Sequence, residues 1–302
     1  MLHLRVISPA ETTQDVLEVL RNEPGATHIT QHRGAALEPR GDVVEADVAR
    51  ECAGAILDRL DGLGVSATGG VTLETIDTTM STAAARASKI APGDASDALI
   101  WEELIARTGE ESRLTATFVA FLTLACLIAA VGVVTNSPVT VVGAMVVGPE
   151  FGPLAAVAVA LVRRRYDQAR HSALALVVGF PVAMAVTLVG ALVAEAFGLV
   201  TSATLDNLSQ VDFVYRVGPF SLVVALLAGA AGMLSLVSSR SAALVGVFIS
   251  VTTVPAAGYA VVAASLGRWS VATESALQLL LNLAGIVVAA VVVLAVRRRH
   301  DG

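Results

Sequence analysis

The feature that most constrains the fold is a polar interruption inside an apolar run at residues 139–162. The run is long enough for a membrane-crossing helix, which needs roughly 20 apolar residues, but residues 148–153 read GPEFGP. Each proline removes a backbone donor and clashes with the preceding turn, and glycine favours departure from helical geometry. We therefore predict two half-helices. In hydrocarbon, the backbone groups that such a break frees must be buried in protein or line a watery cavity.

The composition indicates a membrane protein with two different domains. The 302 residues are 55% hydrophobic and 15% charged, with a mean hydropathy of +0.73, which is outside the range of ordinary soluble enzymes. Residues 1–113 carry 19 acidic against 10 basic residues, whereas residues 114–302 carry 7 against 10. No basic cluster is interleaved with aromatic residues, so we expect no nucleic-acid partner.

Residues 1–80 predict a small α+β domain. The order of elements, βαββαβ, is typical of a ferredoxin-like sandwich, a fold that hosts many functions. No basic flank followed by an apolar core opens the chain, so this domain is expected in the cytoplasm. His28 and His32 lie in strand and turn sequence without a third ligand, so no metal or cofactor is expected. The predicted elements are strand 2–8, helix 11–22, strands 27–31 and 43–46, helix 48–63 and strand 71–76.

Residues 81–113 are predicted to link this domain to the membrane domain. Residues 83–93, AAARASKIAPG, are expected to be a linker. Asp94 or Ser96 can then cap an amphipathic helix that runs through Ala106. This helix either packs on the membrane domain or acts as a lever that transmits a signal from the soluble domain.

Six membrane spans are predicted in the remaining chain, residues 114–302, and the broken run is the second of them. Eight arginines lie on one side of the membrane in this arrangement. They are in the loop after the second span, residues 163–171, in the loop after the fourth span, and in the C-terminal tail. Only two lie on the opposite side, so both termini are predicted to be cytoplasmic. The predicted spans are 114–135, 138–162, 173–198, 219–237, 241–266 and 275–296.

An internal repeat relates the second and fifth spans. When Pro153 is placed over Pro255, PLAAVAVAL aligns with PAAGYAVVA, and both spans are interrupted just before the shared proline. Each is the middle member of three spans, so the two halves must be oppositely oriented. Paired broken helices in inverted repeats point to a transporter-type site near the middle of the membrane.

The candidate binding groups are polar or backbone groups at the two breaks. If the second half-helices begin at Pro153 and Pro255, their free N–H groups attract anions, whereas the carbonyls before each break can coordinate a cation. Glu150 would strengthen cation binding or carry a proton; alternatively it is a structural residue that pins the break, and Asn282 only bonds a neighbouring helix. The candidate solute- or ion-binding residues are Gly148, Pro149, Glu150, Gly152, Pro153, Thr252, Thr253, Pro255 and Asn282.

Several motifs resemble a bacterial membrane family, domain of unknown function 389, also called the uncharacterised hydrophobic domain family. The resemblance covers about residues 98–290, and it implies a bacterial inner-membrane protein without supplying a substrate. Members usually carry an apolar residue where Glu150 stands, so chemistry shared by the family need not depend on this carboxylate. The matching motifs are WEEL at 101–104, LIAAVG at 127–132, VGAM at 142–145, GP at 152–153 and TVPAA at 253–257.

Two functions remain open from the sequence. The first is a carrier or channel for a small solute or ion, with the ferredoxin-like domain as a cytoplasmic regulator. The second is a sensor or scaffold that does not transport, whose soluble domain binds a ligand or partner. No P-loop, Gly-x-Ser-x-Gly or His-Glu-x-x-His motif occurs, so we do not expect an enzyme. Membrane lipid is an expected partner, and small-residue pairs such as Ala225 and Gly229 permit packing within the bundle or in a homo-oligomer.

Overall fold

The computed structural model describes residues 1–93, 98, 100–201, 219–238 and 253–300. The chain divides into two compact units, the first made mainly of residues 1–103 and the second beginning at residue 104.

The first unit is built on a four-stranded antiparallel sheet with the strand order β2-β3-β1-β4. Strands and helices alternate in the order βαββαβ, with a short additional helix, α3, before the last strand. The strands are β1 Leu2–Ser8, β2 Ala26–Leu37, β3 Arg40–Val48 and β4 Gly70–Thr75, and the helices are α1 Thr13–Arg21, α2 Arg50–Gly62, α3 Val65–Thr68 and α4 Thr82–Ile90.

One face of this sheet forms the core of the unit. Alternate residues point to opposite faces of a strand, and the buried residues Leu4 and Val6 of β1 and Val44 of β3 pack with apolar residues of α1 and α2. The opposite face is polar, because it presents the intervening residues, among them His3 and Arg5. The burial of one sheet face fixes the strand register.

The segment between the sheet and the first span contains more helix than the sequence suggested. Helix α4 lies in the stretch predicted to be a linker; it begins after Ser81, whose hydroxyl accepts a hydrogen bond from Ala84 N. Alanine favours helix formation but contributes little to a pattern of large apolar residues, so this alanine-rich helix was not recognised from the sequence. The amphipathic helix α5, Trp101–Glu111, starts and ends later than predicted. The proposed caps, Asp94 and Ser96, lie outside the described residues.

The second unit is helical. Within the described residues, helices α6, α9, α10 and α12 are long and apolar enough to cross a membrane, and α7 with α8 forms a bent pair that counts as a fifth candidate span. These apolar helices indicate a membrane protein. Of the predicted fifth span, residues 241–252 lie outside the described part of the chain, and the rest forms α11. The helices are α6 Ala116–Val134, α7 Pro138–Val147, α8 Phe151–Val162, α9 Tyr166–Ala196, α10 Pro219–Val237, α11 Val254–Ser265 and α12 Trp269–His300.

Two helices extend beyond the predicted spans. Helix α9 begins at Tyr166, so the arginine-rich connection predicted at residues 163–171 shortens to residues 163–165. Helix α12 begins at Trp269, whereas its span was predicted from residue 275. A hydropathy pattern shows only how long the apolar segment is. Helical backbone hydrogen bonds continue through the polar residues that flank it, so each helix is longer than its apolar segment.

Glycines allow close contacts between helices of the second unit. A Cβ at Gly229 of α10 would lie 2.5 Å from the Ile286 carbonyl oxygen of α12, and one at Gly258 of α11 would lie 2.8 Å from Ala129 Cβ of α6. Real Cβ atoms cannot occupy such positions without a shift of the neighbouring helix. The Ala225 and Gly229 pair therefore takes part in packing within the bundle.

Candidate functional site

The break predicted in the second span is present. Helix α7 ends at Val147, Gly148 has extended backbone angles (φ −65°, ψ 126°), and α8 begins at Phe151 with a bend of 53° between the two helices. The sequence allowed the second half-helix to begin at Pro153, and Pro153 is the third residue of α8. Proline is tolerated there because the first-turn N–H groups have no partner within the helix.

Glu150 lies at this break with its side chain completely buried. Its Oε1 accepts a hydrogen bond of 2.6 Å from the hydroxyl of Thr253, a residue 103 positions later in the chain. Thr253 is also buried and immediately precedes α11, whose first turn contains Pro255. The hydrogen bond therefore joins the break in the second span to the start of the helix that forms the second half of the predicted fifth span.

The residues around this pair are apolar. They belong to the main core cluster of the bundle, in which α6, α7, α8 and α11 each contribute small or aliphatic side chains, and a carboxylate in such surroundings is costly unless its charge is offset. Helices α8 and α11 both begin beside the carboxylate, and a helix N-terminus carries roughly half a positive charge. Buried members of the cluster from these helices include Cys126, Ala129, Ala144, Leu154 and Val254.

The remaining residues predicted at the break lie as follows. Gly148 and Pro149 are half-buried in the connection, and Gly152 is buried in the first turn of α8. A Cβ at Gly152 would lie 2.6 Å from Glu111 Cβ, so this glycine allows the end of α5 to approach the break. The contact with Glu111 was not predicted, because nothing in the polar end of an amphipathic helix distinguishes this glutamate from its neighbours.

Asn282 lies on α12 and takes part in a contact between helices. Its Oδ1 accepts a hydrogen bond of 3.3 Å from the hydroxyl of Ser221 on α10, and Gln278 Nε2 donates to the same hydroxyl. Such interhelical bonding was the alternative that the sequence offered for Asn282. Thr252, the other predicted site residue, lies outside the described residues.

The two histidines considered for a metal are arranged differently from a metal site. His28 Nδ1 lies 2.6 Å from Asp47 Oδ2, and His32 Nε2 lies 3.8 Å from Glu45 Oε2. Within the described ranges, no group of three or more His, Cys, Asp or Glu side chains is arranged to hold a metal ion.

Comparison with known families matches the segment that contains the break between α7 and α8 and the residue Thr253. Residues 145–288 match the family model described as Domain of unknown function (DUF389). Over this segment the chain is similar to the DUF389 family. The DUF389 match begins in α7, ends in α12 and includes both Glu150 and Thr253. No curated protein and no solved structure matches the chain.

Proposed function

We propose that this protein is a carrier or channel for a small solute or ion, with its binding site at the Glu150–Thr253 pair. The observation that carries the proposal is the 2.6 Å hydrogen bond that joins the break between α7 and α8 to the start of α11 inside an apolar bundle. A buried carboxylate is an expensive group in a membrane domain, and such groups commonly belong to ion pathways or proton relays. If the spans only anchored a sensor domain, burying a carboxylate among them would cost stability without serving a function.

The chemistry of the pair favours a cation or a proton as the species bound or coupled. The carboxylate supplies a negative charge and the threonine hydroxyl supplies a further oxygen. The carbonyls at the end of α7 are the ones that a helix leaves without intrahelical donors. Hard cations bind such oxygen ligands, and a carboxylate can instead take up a proton.

The packing of the second unit supports two related halves. Helix α8 packs on α9 and α12, whereas α11 packs on α12 and α9, so exchanging α8 with α11 and α9 with α12 leaves these contacts unchanged. This reciprocity is what a two-fold relation between inverted repeats would produce. Six spans follow on this proposal, with residues 241–252 completing the broken fifth span.

The remaining assignments form part of the same proposal. The sheet order β2-β3-β1-β4 supports a ferredoxin-like arrangement for the first unit, which would regulate transport from the cytoplasm. The arginine distribution supports cytoplasmic termini in a bacterial inner membrane. The protein would act without enzymatic chemistry, and its partners would be lipid, the transported species and, if it assembles, further copies of itself.

The test is ion flux through the protein reconstituted in proteoliposomes. Inorganic cations and common metabolites are first screened by thermal shift on the purified protein, and hits are then measured for flux at several pH values. We expect Glu150→Gln to fold and insert but to abolish flux or uncouple it from pH, because glutamine keeps the shape and loses the charge. Glu195→Gln is the matched control, since Glu195 is exposed near the end of α9. Equal flux and equal pH dependence in Glu150→Gln and the parent would mean that Glu150 is structural.

A further inference from the structure

The polar face of the sheet contains a cavity of about 160 Å³. Side chains on three adjacent strands line it, and strand alternation places them on the face opposite the apolar core. Arg5 of β1 lies opposite Glu45 of β3 on one side and opposite Thr72 of β4 on the other, and His3 lies opposite Glu74. The lining residues are His3, Arg5, Glu45, Thr72 and Glu74.

The charges in this cavity do not neutralise one another. Opposite charges on neighbouring strands usually pair and stabilise a sheet. In the described part of the chain, however, the side chains of Arg5 and Glu74 form neither an ion pair nor a hydrogen bond, and Glu45 Oε2 lies 3.8 Å from His32 Nε2 instead. The guanidinium of Arg5 and the carboxylates of Glu45 and Glu74 thus line the same cavity, and they do not form ion pairs across it.

We propose that this cavity binds a small zwitterion, with the α-amino acids as the simplest class. The Arg5 guanidinium matches a carboxylate, which it can hold with two parallel hydrogen bonds. Glu74 and Glu45 accept hydrogen bonds from an ammonium group, and the Thr72 hydroxyl provides a neutral partner. The volume limits the size of the ligand, because pockets for drug-sized molecules typically measure about 300–1,000 Å³.

A chain of hydrogen bonds connects the cavity to helix α4. His3 Nδ1 lies 2.9 Å from Asp47 Oδ1, His28 Nδ1 lies 2.6 Å from Asp47 Oδ2, and His28 Nε2 lies 2.8 Å from Ser81 Oγ. Ser81 in turn accepts the first-turn hydrogen bond of α4, from Ala84 N. A ligand that contacts His3 therefore changes, through these hydrogen bonds, the stability of the first turn of α4, the helix that follows the sheet.

Asp47 keeps both imidazoles oriented. Burial raises the pKa of Asp47, but the hydrogen bonds from His28 and His3 and the charges of these histidines together lower it by more. The pKa of Asp47 therefore lies below its ordinary value, and the carboxylate is ionised near neutral pH. An ionised carboxylate accepts from both rings at once. Among the charged residues of the adjoining elements, Glu74 lies opposite His3, and α4 carries Arg86 and Lys89.

The test uses the full chain in detergent and the twenty α-amino acids as individual probes. We expect one or more of them to raise the melting temperature, and the matching amine and carboxylic acid, each lacking one charge, to have no effect. Arg5→Gln and Glu74→Gln should each weaken the affinity, measured by calorimetry, at least tenfold. Arg21→Gln should bind like the parent, because Arg21 ends α1 on the other side of the sheet.

The connection to α4 has its own measurement. Ligand should slow hydrogen exchange at α4 amides in the parent, and this protection should disappear in His28→Asn while binding persists. Asparagine suits this position because His28 has a positive φ of 52°, a backbone conformation that asparagine tolerates.

Failure of every amino acid to stabilise the parent would overturn the zwitterion site, as would unchanged affinity in Arg5→Gln and Glu74→Gln. Unchanged α4 exchange in the liganded parent would overturn the connection. None of these results depends on transport, because the site lies within the first unit and its readouts are binding and exchange.

Discussion

The hydrogen bond between Thr253 and Glu150 should couple the break between α7 and α8 energetically to the start of α11. Thr253→Val removes the hydroxyl and nearly preserves the shape, which leaves the buried carboxylate without this donor. Glu150→Gln keeps an oxygen that can still accept from Thr253 but loses the charge. We therefore expect Thr253→Val to destabilise the parent more than it destabilises the Glu150→Gln protein.

The expected size of this difference follows from the burial and the charge of the pair. Hydrogen bonds between membrane helices contribute about 0.6 kcal/mol on average and at most about 1.7 kcal/mol, whereas bonds to charged groups typically contribute about 1.5–3 kcal/mol. Both partners here are fully buried and 2.6 Å apart. A coupling free energy of about 1–2 kcal/mol is therefore expected, near the upper limit for membrane helices.

A double-mutant cycle measures this coupling directly. The parent, the two single variants and the double variant are unfolded in the same detergent, and the coupling is the departure of the double variant from additivity. Ser221→Ala, combined with Glu150→Gln, serves as a control pair, because Ser221 bonds residues of α12. A coupling below about 0.3–0.5 kcal/mol, the usual error of additivity, would refute the view that this bond holds the break at Glu150 to the start of α11.

Three further outcomes test the packing, the electrostatics and the topology. Gly229→Ala should destabilise the bundle by about 1–3 kcal/mol in thermal unfolding, since its Cβ would meet backbone of α12; Gly143→Ala, with open space around it, should be neutral or stabilising. Asp47 has a lowered pKa in the folded state, so its ionisation stabilises the fold above about pH 4 and this contribution is lost as the pH falls. The stability difference between the parent and Asp47→Asn should accordingly shrink as the pH falls below about 4. Single cysteines at 203–212 should react with an impermeant reagent added outside cells and those at 164–170 should not; the reverse pattern would invert the topology.

Local sequence determined much of this protein. Proline and glycine act on the backbone wherever they stand, so the break at residues 148–153 was predictable, as were the apolar helices and the alternating strands of the first unit. Helix ends were less predictable, because hydrogen bonding carries α9 and α12 past their apolar segments. Helix α4 was not predicted because its buried face consists of alanines, which do not give the sequence a pattern of large apolar residues.

Only the tertiary structure decided which polar groups meet. Glu150 was recognisable as an expensive charge at a break, but its contact with Thr253 joins residues 103 positions apart. Arg5 and Glu74 are unremarkable surface residues in the sequence, and they border one cavity only because the sheet order places β1 beside β4. Backbone preferences depend on neighbours in the chain, whereas contacts between distant residues depend on how whole elements pack, so the first could be deduced from the sequence and the second required the fold.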